Sequence, residues 1–306
     1  MMKAAVQTLA VAPALEKSRA ADKSALALLA ELFKLRLTAL VLLTTFVGFH
    51  AGGRGPMACG LMLRTLLGTA LLAAGASALN QLLERDCDAK MSRTQDRPLP
   101  SGRMTPESAL VIGAVCAAAG LAVLALEVNA LTAWLGALTL ASYVFVYTPL
   151  KRFTAWNTAI GAIPGALPPL MGWTAARGEI TGGGWALFAI LFFWQLPHFL
   201  AIAWIYREDY ARAGFVMLPA MDPAGTRTGQ QALIQTVGLL LVSLCPFFLG
   251  LAGPVYLAGA LALGAGFLWR AFEFSRQISV AGARRLFYAS IFYLPLLLAL
   301  IVFSKK

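Results

Sequence analysis

The chain has 306 residues, 59% of them hydrophobic and 13% charged, with a formal net charge of +11 at pH 7. A soluble domain carries roughly 25% charged residues, so this composition, with a mean hydropathy of +0.73, excludes a water-facing globule. About 20 apolar residues make one bilayer-spanning helix, and the chain has enough for about nine; its basic excess then reads as topogenic charge in a lipid bilayer, with no nucleic-acid partner.

In chain order, residues 1–24 lack a signal-type apolar core and carry Glu16, Lys17, Arg19, Asp22 and Lys23, which reads as a poorly ordered cytosolic tail. Residues 25–306 read as a single transmembrane domain. The apolar runs predict helices near 36–53, 58–83, 107–127, 130–148, 155–175, 185–205, 232–251, 254–272 and 286–303. Hydrocarbon offers no partner to an unpaired backbone group, so long runs without period-2 alternation must be helices. The expected class is all-α and multi-pass.

Charge orients these spans. The tail and every second loop after it hold 20 of the 25 basic residues, and Arg54, Arg64, Arg177, Lys305 and Lys306 lie on the other side. The positive-inside rule places the N-terminus in the cytoplasm and the C-terminus outside. The four cysteines lie far apart with no metal-site spacing.

Topogenic charge explains basic loops, not acids set among them. Seven of the 14 carboxylates fall in two loops on the basic side: Glu84, Asp86, Asp88 and Asp96, then Glu208, Asp209 and Asp222. If the second helix continues past its apolar run, Asn80, Glu84 and Asp88 stand at i, i+4 and i+8 on one face. Such oxygen ligands suit Mg²⁺, which takes one or two carboxylates plus substrate phosphate. The competing structural reading is a helix end whose carboxylates pair with Arg85, Lys90, Arg93 or Arg97. Arginine forks bind phosphate bidentately, so Arg93 and Arg97 beside these acids suggest a metal–diphosphate site. Lys151 and Arg152, taken alone, are as readily topogenic.

His198 sits within the sixth apolar run, directly after Pro197. An intramembrane histidine is a functional candidate; the alternative is a ring hydrogen-bonded to the broken helix. The run of small residues and prolines from Gly161 to Gly172 reads as close helix packing, since it lacks a phosphate-loop pattern.

The N-x-x-x-E-x-x-x-D pattern at Asn80, Glu84 and Asp88 resembles the first acidic motif of the UbiA-type intramembrane prenyltransferases. More narrowly, the chain resembles their haem O synthase branch in four stretches. These are Glu84 to Thr94 with Arg97-Pro98-Leu99, Tyr147 to Arg152, Gly161 to Trp173, and Trp194 to Phe199 continuing through Tyr206 to Tyr210 and Gly214 to Pro219. The wider superfamily carries a second D-x-x-x-D; here Asp209 is followed four residues on by Ala213, and Glu208-Asp209-Tyr210 is similar to the haem O synthase pattern instead.

The resemblance implies nine helices around a central cavity, an active site on the cytoplasmic side, and an inner (plasma) membrane location. It implies farnesyl diphosphate and haem B as substrates, with haem A synthase or oxidase-assembly proteins as further partners, and makes His198 a candidate haem-binding residue, since haem iron takes an axial histidine. Mg²⁺ would be held by Asn80, Glu84 and Asp88 with Asp209 opposite, and Arg93, Arg97, Lys151 and Arg152 would neutralise the diphosphate. Tyr143, Tyr147, Trp194 and Trp204 are candidates to face an allylic cation, because a ring face attracts cations. A transporter is the rival of another class, but its acids should lie near the bilayer midplane.

Overall fold

The computed structural model describes residues 24–305, so the tail expected over 1–24 lies, apart from Ser24, outside the described residues. A short helix that the apolar pattern did not predict comes first, α1 (Ala25–Leu32), capped by the Ser24 hydroxyl oxygen accepting from the Ala27 N–H at 3.3 Å. Then come α2 (Leu35–Gly52), α3 (Cys59–Asp88), α4 (Pro106–Glu127) and α5, which spans Ala130–Leu150. They are followed by α6 (Asn157–Arg177) and α7 (Gly182–Ile205), and by two short loop helices, α8 (Arg207–Arg212) and α9 (Leu218–Met221). The chain closes with α10 (Thr226–Phe248), α11 (Pro254–Arg276) and α12 (Val280–Phe303).

All nine expected spans are helices among the described residues, and the chain is a multi-pass membrane protein. Eight are long and apolar enough to cross a bilayer by length and composition. The ninth, α6, carries Pro164, Pro168 and Pro169 and buries most of its length. It packs against α2, α5 and α7. A helix wrapped by other helices needs less apolar surface than one facing lipid.

Without a hydrophobic force between helices in lipid, close packing holds them together. At the α2–α6 seam, a Cβ added to Gly48 would lie 1.9 Å from the Pro169 carbonyl oxygen, and one added to Gly172 would lie 1.9 Å from the Thr45 carbonyl oxygen. The two backbones touch through these glycines, as the small-residue run predicts.

Three local features shape the basic end. The helix α3 continues through Asp88, which fulfils the condition for the one-face arrangement of Asn80, Glu84 and Asp88. Within α5, Ser142–Tyr147 forms a π-helical turn, a device often found at functional sites. It brings the Tyr143 and Tyr147 rings to 5.6 Å. Finally, Ser77 and Gln81 of α3 donate to the Leu32 carbonyl at 2.8 and 2.7 Å, satisfying the end of α1. The chain must then turn sharply into α2, and Lys34 takes the left-handed conformation (φ 47°), the one non-glycine residue to do so among those described.

The opposite end is tied by exposed pairs, Arg54–Glu179 at 3.1 Å and Arg64–Glu127 at 3.2 Å.

Candidate active site

The last two turns of α3 place Asn80, Glu84 and Asp88 on the wall of one cleft. Its other walls carry Lys34, Arg93, Arg97, Tyr143, Tyr147, Lys151, Tyr210 and Phe215, around a cavity of about 90 Å³. Asn80, Glu84 and Asp88 are buried. Buried carboxylates must be paired or hydrogen-bonded, and these are. Lys151 donates to Glu84 Oε1 at 2.7 Å, and Arg97 donates to Asp88 Oδ2 at 2.6 Å.

The pairing with Arg97 is what the structural reading of the helix end anticipates. It does not use up the carboxylate, because Asp88 Oδ1 is buried with no hydrogen-bond partner. A buried polar atom left alone calls for an explanation such as an ion. Two carboxylates and an amide on one face, one oxygen free, fit a single hard cation that completes its shell with phosphate and water.

Cations crowd the same space. Lys34 donates to Asn80 Oδ1 at 2.9 Å, and the Asn80 amide donates to Thr148 Oγ1 at 3.0 Å. Burial, then the Arg97 guanidinium, lowers the Lys34 pKa to about 7. Burial also opposes the charge on Lys151, but Tyr147 and Glu84 outweigh it and raise its pKa above the ordinary lysine value. The Lys151 ammonium lies 4.5 Å from the Tyr147 ring centroid, within cation–π range. The cleft therefore holds two carboxylates against four cationic side chains, a surplus suited to an anion carrying several charges.

Other expected site residues lie elsewhere. Asp209 is not on the cleft wall: its carboxylate accepts from Ser92 Oγ at 2.6 Å and pairs with Arg212 at 3.3 Å. Among the described residues no three His, Cys, Asp or Glu side chains group to hold a metal, so Asp209 stands apart from Glu84 and Asp88. It instead ties the Ser92 loop to α8. The neighbouring Arg93 donates to the Tyr210 hydroxyl at 2.9 Å and lies 5.1 Å from the Tyr206 ring centroid.

Arg152 is exposed, with its guanidinium against the Leu83 carbonyl at 3.4 Å. Trp194 does not face the cleft either. Its indole N–H needs an acceptor in the apolar interior and finds the Ser290 carbonyl of α12 at 2.8 Å. Trp204 packs edge-on to Phe274. His198 lies beside Trp194, away from the cleft wall. Of the four aromatic candidates, the cleft keeps Tyr143 and Tyr147.

The residue that sequence reasoning missed is Lys34. Counted among topogenic charges, it is instead half-buried on the cleft wall. The available signal was a polar Ser24 cap opening a short apolar run, with the lysine directly between that run and the first span.

A model of the UbiA prenyltransferase family matches residues 41–298. The protoheme IX farnesyltransferase of Solibacter usitatus (strain Ellin6076) is 46% identical over 286 residues, covering 90% of this chain and 97% of the relative. Among solved structures, a digeranylgeranylglyceryl phosphate synthase superposes with a TM-score of 0.78 at 15% identity, covering 91% of this chain and 98% of that one. A UbiA homologue from Archaeoglobus fulgidus bound to GPP and Mg²⁺ gives 0.63 at 16% identity, covering 90% and 99%. At such identities the structural likeness establishes the fold, while the 46% relative establishes the branch. The chain belongs to the UbiA prenyltransferase family, in the branch of the protoheme IX farnesyltransferases.

Proposed function

We propose that this prenyltransferase converts haem B to haem O, transferring the farnesyl group of farnesyl diphosphate to a haem vinyl carbon with addition of water and release of diphosphate. One observation carries the placement of the reaction: Lys34, Arg93, Arg97 and Lys151 share one cleft with Asn80, Glu84 and Asp88.

The four cations would receive the diphosphate, and Asn80, Glu84 and Asp88 would hold Mg²⁺. Bound there, Mg²⁺ would neutralise charge developing on the leaving diphosphate oxygens. As the C1–O bond breaks, its electron pair leaves on the diphosphate, where fixed cations lower the barrier most. Tyr143 and Tyr147 would face the allylic cation and keep water from it. The vinyl π electrons close the new C–C bond to C1. Water then adds to the resulting cation and loses a proton, leaving a hydroxyethylfarnesyl substituent.

Asp209, expected as a fourth metal ligand, would reach the diphosphate only by exchanging its Ser92 hydrogen bond. Arg152 would act at the rim of the cleft through its exposed guanidinium. The positive-inside bias supports an N-terminus in the cytoplasm and a cleft opening there, in the inner (plasma) membrane. Haem A synthase or oxidase-assembly proteins are the partners that would take the product.

The test is purified protein in nanodiscs with haem B, farnesyl diphosphate and Mg²⁺, followed by mass spectrometry. The expected product is haem gaining one farnesyl group and one hydroxyl. Absence of that product, with farnesyl diphosphate bound, overturns the haem acceptor.

A further inference from the structure

Away from the cleft, the hydrogen bonds around His198 determine its tautomer. His198 Nδ1 lies 2.7 Å from Ser290 Oγ. The Ser290 hydroxyl has a single hydrogen, which it donates to the Phe287 carbonyl at 2.5 Å. Toward the ring, Ser290 Oγ can therefore only accept, so Nδ1 carries the proton and Nε2 keeps a lone pair. That Nε2 has no hydrogen-bond partner among the described residues and is not one of the enclosed unpartnered atoms. The ring is half-buried, so the lone pair is not sealed inside the bundle.

The ring is also held on both faces. Trp194 and Phe287 stack on it with centroids 4.9 Å away and interplanar angles of 24° and 30°. Trp194 is itself fixed by its bond to the Ser290 carbonyl. A histidine that only repaired the helix break after Pro197 would spend a nitrogen on a freed α7 carbonyl. This one bonds across to α12 and keeps the lone pair on its second nitrogen.

We propose that His198 Nε2 is the axial ligand that docks the haem substrate on the seam between α7 and α12, with Arg284 receiving a propionate. The inference rests on the haem acceptor proposed above. Metal-ligating histidines characteristically donate their other N–H to an oxygen that fixes ring and tautomer, the role Ser290 plays here. Haem also needs an apolar wall and a cation for its acidic edge. Phe287 of α12, stacked on the ring, supplies apolar surface beside it. Arg284, one turn before Phe287, is exposed and has no ion-pair partner among the described residues.

The depths agree. Arg284 precedes Ser290 by six residues, about 9 Å along the helix axis. His198 lies seven residues before the end of α7, about 10 Å inside the bundle end where the cleft opens. Iron at His198 would thus keep the porphyrin in the apolar layer while its propionates reach the boundary.

The test uses full-length protein in nanodiscs with ferric haem B and no farnesyl diphosphate, read by absorption and electron paramagnetic resonance. The wild type should give a histidine-ligated spectrum. His198→Ala should lose that signature and bind haem about 10–100-fold more weakly, and added imidazole should restore the signature. Arg284→Gln should weaken binding severalfold without moving the bands. Calorimetry with farnesyl diphosphate should give wild-type affinity in both variants, which separates the effect from misfolding. An unchanged spectrum in a His198→Ala protein that still binds farnesyl diphosphate overturns the ligand. Histidine-ligated haem without farnesylated product would support this site and sink the transferase reading.

Discussion

Arg97 holds Asp88 by one oxygen only: Oδ2 receives the guanidinium at 2.6 Å, while Oδ1 of the same carboxylate is buried and unpartnered. A carboxylate paired through one oxygen, with the other unpartnered on a cleft wall, is poised for a second cation. Asp88→Ala should therefore reduce farnesyl transfer by at least about a hundredfold, with membrane insertion intact. Product analysis and fractionation check this together, and full haem O formation by the variant would sink the metal assignment.

Lys34 is costly to the free protein, being half-buried, partly discharged and in a left-handed backbone conformation. Lys34→Met removes the half-buried charge, so thermal stability without ligand should hold or rise. Affinity for farnesyl diphosphate should fall about tenfold or more. A calorimetric titration showing wild-type affinity would remove Lys34 from the site.

Glu84 and Lys151 neutralise each other where water is scarce, with side chains 6% and 12% exposed. Removing one partner of a buried pair typically costs about 3–5 kcal/mol, so Glu84→Gln should destabilise on that scale. The double variant Glu84→Gln with Lys151→Met should regain much of the stability and none of the activity. Denaturant unfolding in detergent supplies the first comparison and the transfer assay the second.

Asp209 is a tether in this geometry, reaching Ser92 rather than the cleft. Ser92→Ala should then reproduce the kinetic effect of Asp209→Asn, chiefly a higher KM for farnesyl diphosphate through loosening of Arg93. A shift in Mg²⁺ requirement caused by Asp209→Asn alone would instead make it a ligand.

Gly172 faces backbone on two sides, with an added Cβ 1.9 Å from the Thr45 carbonyl oxygen and 2.7 Å from the Phe49 nitrogen. Backbone cannot rotate aside as a side chain can, so Gly172→Ala should destabilise by about 1–3 kcal/mol or more. Thermal unfolding in nanodiscs measures it, and an unchanged midpoint would mean that α2 and α6 separate freely.

The spans and the acidic face were legible because both depend on local periodicity. Asn80, Glu84 and Asp88 share a face in any continuous helix, and α3 needed only to extend through them. Lys34 was not legible, because its position depends on Ser77 and Gln81 anchoring a helix some 45 residues away in sequence. Trp194 was misassigned for a related reason: its acceptor is the Ser290 carbonyl, 96 residues on. The attraction of a ring face for cations made Trp194 a candidate, but only packing decides which way its N–H points. Tyr143 and Tyr147 were named as candidates, yet the π-helical turn that aligns them has no local sequence signature.

The pairs Glu84–Lys151 and Asp88–Arg97 bear on the end of the catalytic cycle. Diphosphate with its metal binds a polycationic cleft tightly, and slow departure of product limits many enzymes. If Glu84 and Asp88 hold the metal as proposed, its departure with diphosphate would leave both carboxylates with internal counter-ions already within reach. The emptied cleft then does not have to wait for water or salt to discharge it. Mutations that break these pairs should slow turnover at the release step, leaving single-turnover transfer faster than steady-state transfer.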